Sequence, residues 1–322
     1  MKALIIKQLN AAPEFSDFTP QATAEGEAQV TLKAAALNHR DIFITQGLYA
    51  GIKVPCVLGS DGVGTWNGRK VILYPALDWG ESEVHQGKDF RVLGMPENGT
   101  FADAITLPIA NLFDLPNHLT WEQGAALPLA GLTAWRTLFT RCKLQKGERI
   151  LITGIGGGVA LMVLQFAVAA GAEVYVSSSS SEKIQKAVSL GAKGGVSYRE
   201  SGWEKALKLK AGGFDVIIDS AGGENFALFP GICNPGARIG FYGGTLGKVN
   251  GLSLQPLFWK QISLLGSTMG SPQEFKAMLE FVQKHQIIPI IDSQFALQEG
   301  QKAFEKMESG AQFGKIVLHI SQ

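Results

Sequence analysis

The chain has 322 residues, 46% hydrophobic and 18% charged, an ordinary globular balance at a length that usually needs two lobes rather than one core. With 29 basic against 28 acidic side chains its formal net charge is +1, so nothing electrostatic points to nucleic acid or an anionic membrane as partner. The three cysteines, Cys56, Cys142 and Cys233, are scattered without a paired spacing, which gives no support to a disulfide framework or zinc ribbon and suits a reducing cytoplasm.

The apolar start of MKALIIKQLN is too short for a signal peptide and reads as a first strand, Lys2–Ile6. Short apolar or alternating runs at Gln29–Ala35, Arg69–Tyr74 and Phe101–Leu107, bounded by Gly, Pro and Asn, make the N-terminal part β-rich. Asn67-Gly68 tolerates the positive φ angles of a type I′ turn, so a two-residue hairpin is expected there. From about Thr120 the rhythm changes. Strand-like runs at Arg149–Thr153, Glu173–Ser177, Phe214–Asp219 and Arg238–Phe241 alternate with helical patterns, which predicts βαβ units and a parallel sheet. The apolar tract Val159–Ala172 is broken by Gln165 and Gly171, falls short of the ~20 residues of a membrane span, and reads as a buried helix. Ile262–Leu265 predicts another strand and Pro272–Lys284 a helix. From Ile290 the tail reverts to strand, helix, strand, closing on Lys315–Ile320.

The strongest local signal lies in ILITGIGGGVALMVLQFAVAAGAEVYV, residues 150 to 176. A strand ends in Gly154-Ile155-Gly156-Gly157-Gly158, a helix follows from Val159, and a second strand starts at Glu173. Glycines let a backbone approach a pyrophosphate, and the helix N-terminus offers N–H groups to its charge, so a dinucleotide is the expected ligand. Ala160 stands where the last glycine of GxGxxG would close the pattern, so helix–strand packing must accept a methyl. An NAD-binding strand should end in a carboxylate for the ribose hydroxyls. Here it runs into Ser177-Ser178-Ser179-Ser180-Ser181, with Lys183 close behind. Hydroxyls and a lysine suit a 2′-phosphate, so NADP(H) is the expected cofactor, with Ser178, Ser179 and Lys183 holding it. Glu173 is nearly the right distance after Gly154 but lies at the start of its strand.

LKAAALNHRDIFITQGLYAG, PCVLGSDGVG, GTFADAITLP, LPLAGLTAWRTL, the glycine loop and the terminal FGKIVLHI, in that order over nearly the whole chain, resemble the medium-chain dehydrogenase/reductase superfamily. The likeness is greater to its zinc-independent quinone oxidoreductase-like branch than to the alcohol dehydrogenases. It implies an α/β chain in which a Rossmann doubly wound parallel sheet is inserted into a GroES-like partial β-barrel catalytic domain. On that reading residues 1–122 form the catalytic domain, 123–288 the Rossmann domain, and 289–322 return to the first. Zinc members carry Cys where this chain has Asn38, Gly-His-Glu where it has Gly59-Ser60-Asp61, and Cys near Ala130. An amide, a hydroxyl and a methyl do not make a Cys/His zinc site, and Ala76–Gly94 lacks the cysteines of the structural-zinc loop. Relatives usually have a longer hairpin between Gly64 and Lys70, which puts that part of the barrel wall in question.

Without a metal, a simple ketone is hard to reduce, whereas a conjugated acceptor spreads the developing charge, so a quinone, enone or enal is the expected substrate. The resemblance makes Asn38 a candidate donor to the substrate oxygen or cofactor ribose, against a loop-capping asparagine. Tyr49 falls where related reductases often place a tyrosine in the cleft, against an ordinary packing role. Asp41, grouped with them as a catalytic candidate, is expected to brace the loop, and His39 to be structural or exposed. The resemblance further places Thr133 near the cofactor and Tyr198 against the adenosine phosphate. It brings Thr268 and Met269 to the nicotinamide amide, Phe241 and Gly243 to its pocket, and Lys315 in as a second cation. A homodimer with no membrane partner is expected. Two other readings are a non-catalytic NADPH-binding protein, of the sensor or crystallin kind, and a metal-free NADP alcohol dehydrogenase.

Overall fold

The structure, a computed structural model, describes residues 1–320. The chain divides into two compact units, one of Met1–Leu132 with the segment from Gly270 onward, the other of Thr133–Met269. These borders differ from the domain borders expected after residues 122 and 288. Helix Trp121–Ala125 lies on strands Glu27–Ala36 and Asp61–Trp66 of the first unit. Helix Pro272–His285 sets Phe275 edge-on against Tyr74 and Phe113, with ring centroids 5.6 and 5.0 Å away. That helix follows from local chemistry. Ser271 and Glu274 form a reciprocal capping box, Pro272 opens the first turn, and Phe275, Met278, Leu279 and Val282 make the buried stripe.

In the first unit the main sheet runs Leu112–Asp114, Arg69–Leu73, Asp61–Trp66, Glu27–Ala36, Lys315–His319, Ile291–Ala296, with Ala104–Pro108 also on Glu27–Ala36. The Asn67-Gly68 hairpin is present: Trp66 pairs with Arg69, and both turn residues have positive φ, 49° and 77°. Its short strands leave no gap, since Asp61–Trp66 bonds to a neighbour on each side. The strand expected over Phe101–Leu107 begins only at Ala104. Phe101 instead turns inward, fully buried, its N–H bonded to Leu58 O. The exposed strand Glu14–Asp17 was not foreseen, because an edge strand with one bonded neighbour carries no apolar alternation.

The second unit holds a six-stranded parallel sheet in the order Gly194–Ser197, Glu173–Ser178, Arg149–Ile152, Phe214–Asp219, Cys233–Phe241, Ser263–Gly266. In chain order this is 3-2-1-4-5-6, the doubly wound arrangement in which ligands bind where the order reverses. Helix Gly158–Ala169 is buried nearly all round, and Ala160, in its first turn and 3% exposed, is accommodated where the last glycine of the pattern is missing. Strand Gly194–Ser197 escaped the sequence reading because two glycines dilute its pattern. Strand Cys233–Phe241 begins earlier than Arg238, with a register shift opposite Phe214–Val216. Among the described residues no helix is long and apolar enough to cross a membrane.

Candidate functional site

In the second unit a candidate dinucleotide site grows from strand Arg149–Ile152, beside the reversal point of the sheet. Gly154 and Gly156 take φ of 62° and 132°, which a side chain would strain, and the loop runs directly into helix Gly158–Ala169. No side chain caps that helix at Gly157, so its first-turn N–H groups, at Gly158, Val159 and Ala160, suit a phosphate. Asp219, not foreseen, ends the neighbouring strand and is 2% exposed. It accepts from Thr153 Oγ1 at 2.5 Å and from the N–H groups of Ala221 and Gly222 at 3.0 and 2.8 Å, tying the turn after its own strand to the one entering the glycine loop. A carboxylate at the C-terminal end of a central parallel strand was the available signal.

Glu173 and the serine run separate cleanly. Glu173 opens its strand opposite Arg149, with a 3.3 Å ion pair, at the end away from the glycine loop. Ser178 closes the same strand, 3% exposed, and its hydroxyl accepts from Ser180 N–H at 3.2 Å. Ser179 follows, partly exposed, and Ser180 caps helix Ser181–Ser189 by accepting from Lys183 N–H. The Lys183 side chain folds over the glycine loop: a methyl on Gly156 would stand 2.9 Å from its Cδ and 3.4 Å from its Nζ. The loop, Ser178 and this lysine are therefore neighbours within the unit.

The remaining residues assigned to the cofactor have more local partners. Tyr198 donates its N–H to Ser178 O at 3.1 Å, and its ring packs on the cluster of Trp203, Leu207 and Phe214. Phe241 meets Phe226 edge-on at 5.8 Å, and Gly243 has no room for a methyl, which would lie 2.6 Å from Ser220 O. Thr133 is buried, its carbonyl accepting the Thr137 hydroxyl. Thr268 is exposed, whereas Met269 is buried with φ of 43°.

In the first unit a buried polar cluster centres on helix His39–Thr45 and the strand that starts at Asp61. Asp41, fully buried, accepts the Asn38 N–H at 2.8 Å and so braces the loop. Asn38 is 8% exposed; its Nδ2 donates to Asp61 Oδ2 at 2.9 Å and its Oδ1 accepts from Lys315 Nζ at 2.6 Å. Lys315 donates further to Leu37 O at 2.7 Å and Asp61 Oδ2 at 2.8 Å. Lys315 is the residue expected as a second cation near the cofactor; an ammonium has three donors, and all three are used here within the first unit. Tyr49 is 42% exposed, with the Arg40 guanidinium 5.5 Å from its ring centre; Arg40 in turn donates to Ser60 Oγ and Leu93 O. His39 is exposed.

These contacts do not fit a metal. Asn38 is held by Asp61 and Lys315, Ser60 accepts from Arg40 and donates to Leu93 O, and Ala130 is buried. Among the described residues no three His, Cys, Asp or Glu side chains are grouped to bind one.

Burial, only partly offset by Arg40, raises the Asp41 pKa from 3.8 to about 6, with Asn38 N–H and Lys315 lowering it and Asp61 raising it. The folded protein therefore binds this proton more tightly than the unfolded chain does. The cost, about 3 kcal/mol for a shift of this size, is present above pH 6 and is relieved as pH falls towards 3.8. Asp41→Asn can still accept the Asn38 N–H. It should melt higher than wild type near pH 8 and lose that advantage at about pH 4, and a gap independent of pH in thermal denaturation would refute this account.

The parallel sheet with its glycine loop at the reversal point, joined in one chain to a GroES-like barrel, defines a nicotinamide-dependent dehydrogenase class. Family models for an alcohol dehydrogenase GroES-like domain and a zinc-binding dehydrogenase match residues 24–117 and 158–284. A zinc-type alcohol dehydrogenase-like protein of Leptosphaeria maculans is 38% identical, covering 93% of this chain and 92% of its own. Quinone oxidoreductase 1 of Escherichia coli is 27% identical, with 94% of each chain covered. A crystal structure described as an NAD-dependent alcohol dehydrogenase superposes with a TM-score of 0.94 at 30% identity, covering all of both chains. The chain belongs to the medium-chain dehydrogenase/reductase superfamily, as an oxidoreductase.

Proposed function

We propose that this chain is a zinc-independent, NADPH-dependent reductase of conjugated carbonyls: quinones, enones or enals. The observation that carries the reading is the set of contacts where zinc members hold their metal. Asn38, Ser60 and Ala130 offer an amide, a hydroxyl and a methyl, with the Lys315 ammonium already bonded to the amide. Such a site donates hydrogen bonds but supplies no Lewis acid, so it suits an acceptor that delocalises its own charge. The bound nicotinamide supplies the hydride. Asn38 is the donor to the substrate oxygen, and the balancing proton comes from Tyr49 or from water. Ser178 and Lys183, in place of a carboxylate, support NADPH, with Ser179 beside them.

The names of the zinc-type and alcohol dehydrogenase relatives favour a second reading, oxidation of simple alcohols. One panel separates the two. NADPH should be consumed with quinones, enals or enones, simple ketones and alcohols should react very slowly or not at all, and metal analysis should find well under one zinc per chain. Stoichiometric zinc with chelator-sensitive alcohol turnover would favour the second reading. Binding of NADPH with no turnover on any acceptor would make the protein a sensor or a structural binder.

The reading extends to a homodimer. Strand Ser263–Gly266 ends the parallel sheet with Leu264 exposed, and Leu254, Phe258 and Trp259 on the preceding helix are exposed at 69%, 67% and 80%. An apolar edge of this kind needs a cover, and a second copy of the same edge provides one. Sedimentation at micromolar concentration should give a dimeric mass or a larger even one, and a monomer would refute the pairing.

A further inference from the structure

Lys315 is 4% exposed and lies behind the one residue assigned to the substrate oxygen. We infer that Lys315 is a positioning residue: a fixed cation that orients and polarises the Asn38 amide, filling electrostatically the role that a metal has in zinc relatives. The inference rests on the proposed role of Asn38 and goes beyond it by naming what makes that amide a donor.

The geometry leaves the amide little choice. An ammonium can only donate, so the Asn38 atom 2.6 Å from Lys315 Nζ must be the oxygen; a carboxylate mainly accepts, so the atom 2.9 Å from Asp61 Oδ2 must be the nitrogen. One Nδ2 hydrogen is spent on Asp61 and one is left. Asp61 is itself pinned, fully buried, by the Leu129 N–H at 2.8 Å, in the first turn of helix Pro128–Trp135. The Asn38 backbone is pinned by Asp41. An unbonded amide would lose rotational freedom on meeting substrate; here that freedom is already gone. The Lys315 ammonium beside Oδ1 also favours the charge-separated form of the amide and strengthens its N–H as a donor, an effect larger in a dry site than in water. The Asp61 carboxylate balances the buried charge, so the cost of burying it is borne by a paired, fully bonded group.

The test is steady-state kinetics with NADPH and p-benzoquinone, alongside fluorescence titration of NADPH. Lys315→Gln should lower kcat by about tenfold, with the quinone KM and the NADPH Kd little changed, because a weakened donor costs transition-state rather than ground-state binding. Lys315→Arg, which keeps the charge, should recover part of the loss. In an Asn38→Ala background Lys315→Gln should have no further effect, since the lysine acts only through that amide. Lys315→Gln strands the Asp61 carboxylate, so the double variant with Asp61→Asn, which removes both charges, provides a second folded form for the same comparison. A folded double variant with wild-type kcat, beside an Asn38→Ala variant that is slow, would overturn the role of Lys315 and leave that of Asn38. Equal losses from Lys315→Gln in both backgrounds would overturn it too. Wild-type kcat in Asn38→Ala would overturn the reading of Asn38 itself, and the inference with it.

Discussion

Lys183→Ala is expected to weaken NADPH by roughly ten- to a hundredfold and to leave NADH almost unchanged. The 2′-phosphate is close to doubly charged, and a charge-assisted bond to an ammonium contributes ~1.5–3 kcal/mol, each 1.4 kcal/mol being about tenfold. The lysine lies across the glycine loop, with its Nζ 3.4 Å from where a Gly156 methyl would be. Ser178→Asp should act more strongly, because it sets a like charge against the phosphate and offers NADH a ribose acceptor. Ser178 is 3% exposed and accepts from Ser180 N–H, a bond that an aspartate oxygen can also accept. The preference should then move towards NADH. Fluorescence titration of both cofactors against wild type and the two variants measures this, and salt should narrow the Lys183 effect in proportion to its exposure. Equal affinity of wild type for NADH and NADPH would reduce the serine run to a loop. Glu173, paired with Arg149 at the far end of its strand, could not then be the ribose ligand without leaving that pair.

Asn38→Ala should lower kcat about a hundredfold with NADPH affinity retained, since a single preorganised donor to a developing oxyanion supplies ~3 kcal/mol. The variant also strips one acceptor from a buried ammonium, so its melting temperature should fall as well, and NADPH titration shows whether the folded state is intact. Tyr49→Phe isolates the other half of the chemistry. It keeps the ring beneath Arg40 and removes only the hydroxyl, so a fall in kcat at unchanged stability would identify the phenol as proton source. Unchanged turnover in both variants would leave protonation to water and remove both residues from the mechanism.

The sequence alone was enough for the features that depend on neighbours along the chain. Asn67-Gly68 predicts its own turn because two successive positive φ angles are a local demand. Gly154–Gly158, the strand before it and the apolar helix after it read as a dinucleotide loop because the reason for each glycine lies within a few residues. The order of strands and helices was legible for the same reason. What only the tertiary structure decided is where charges meet across long separations. Lys315 reads as a terminal cation free for a cofactor until strand Lys315–His319 pairs with Glu27–Ala36, which brings its ammonium under Asn38 and Asp61. The partners of Arg40 and the pairing of Glu173 with Arg149 were likewise invisible, since a buried charge is stable only with a partner and the chain does not say which partner that is. Local backbone demands are written in adjacent residues, whereas the compensation of a buried charge is settled only when the sheet closes.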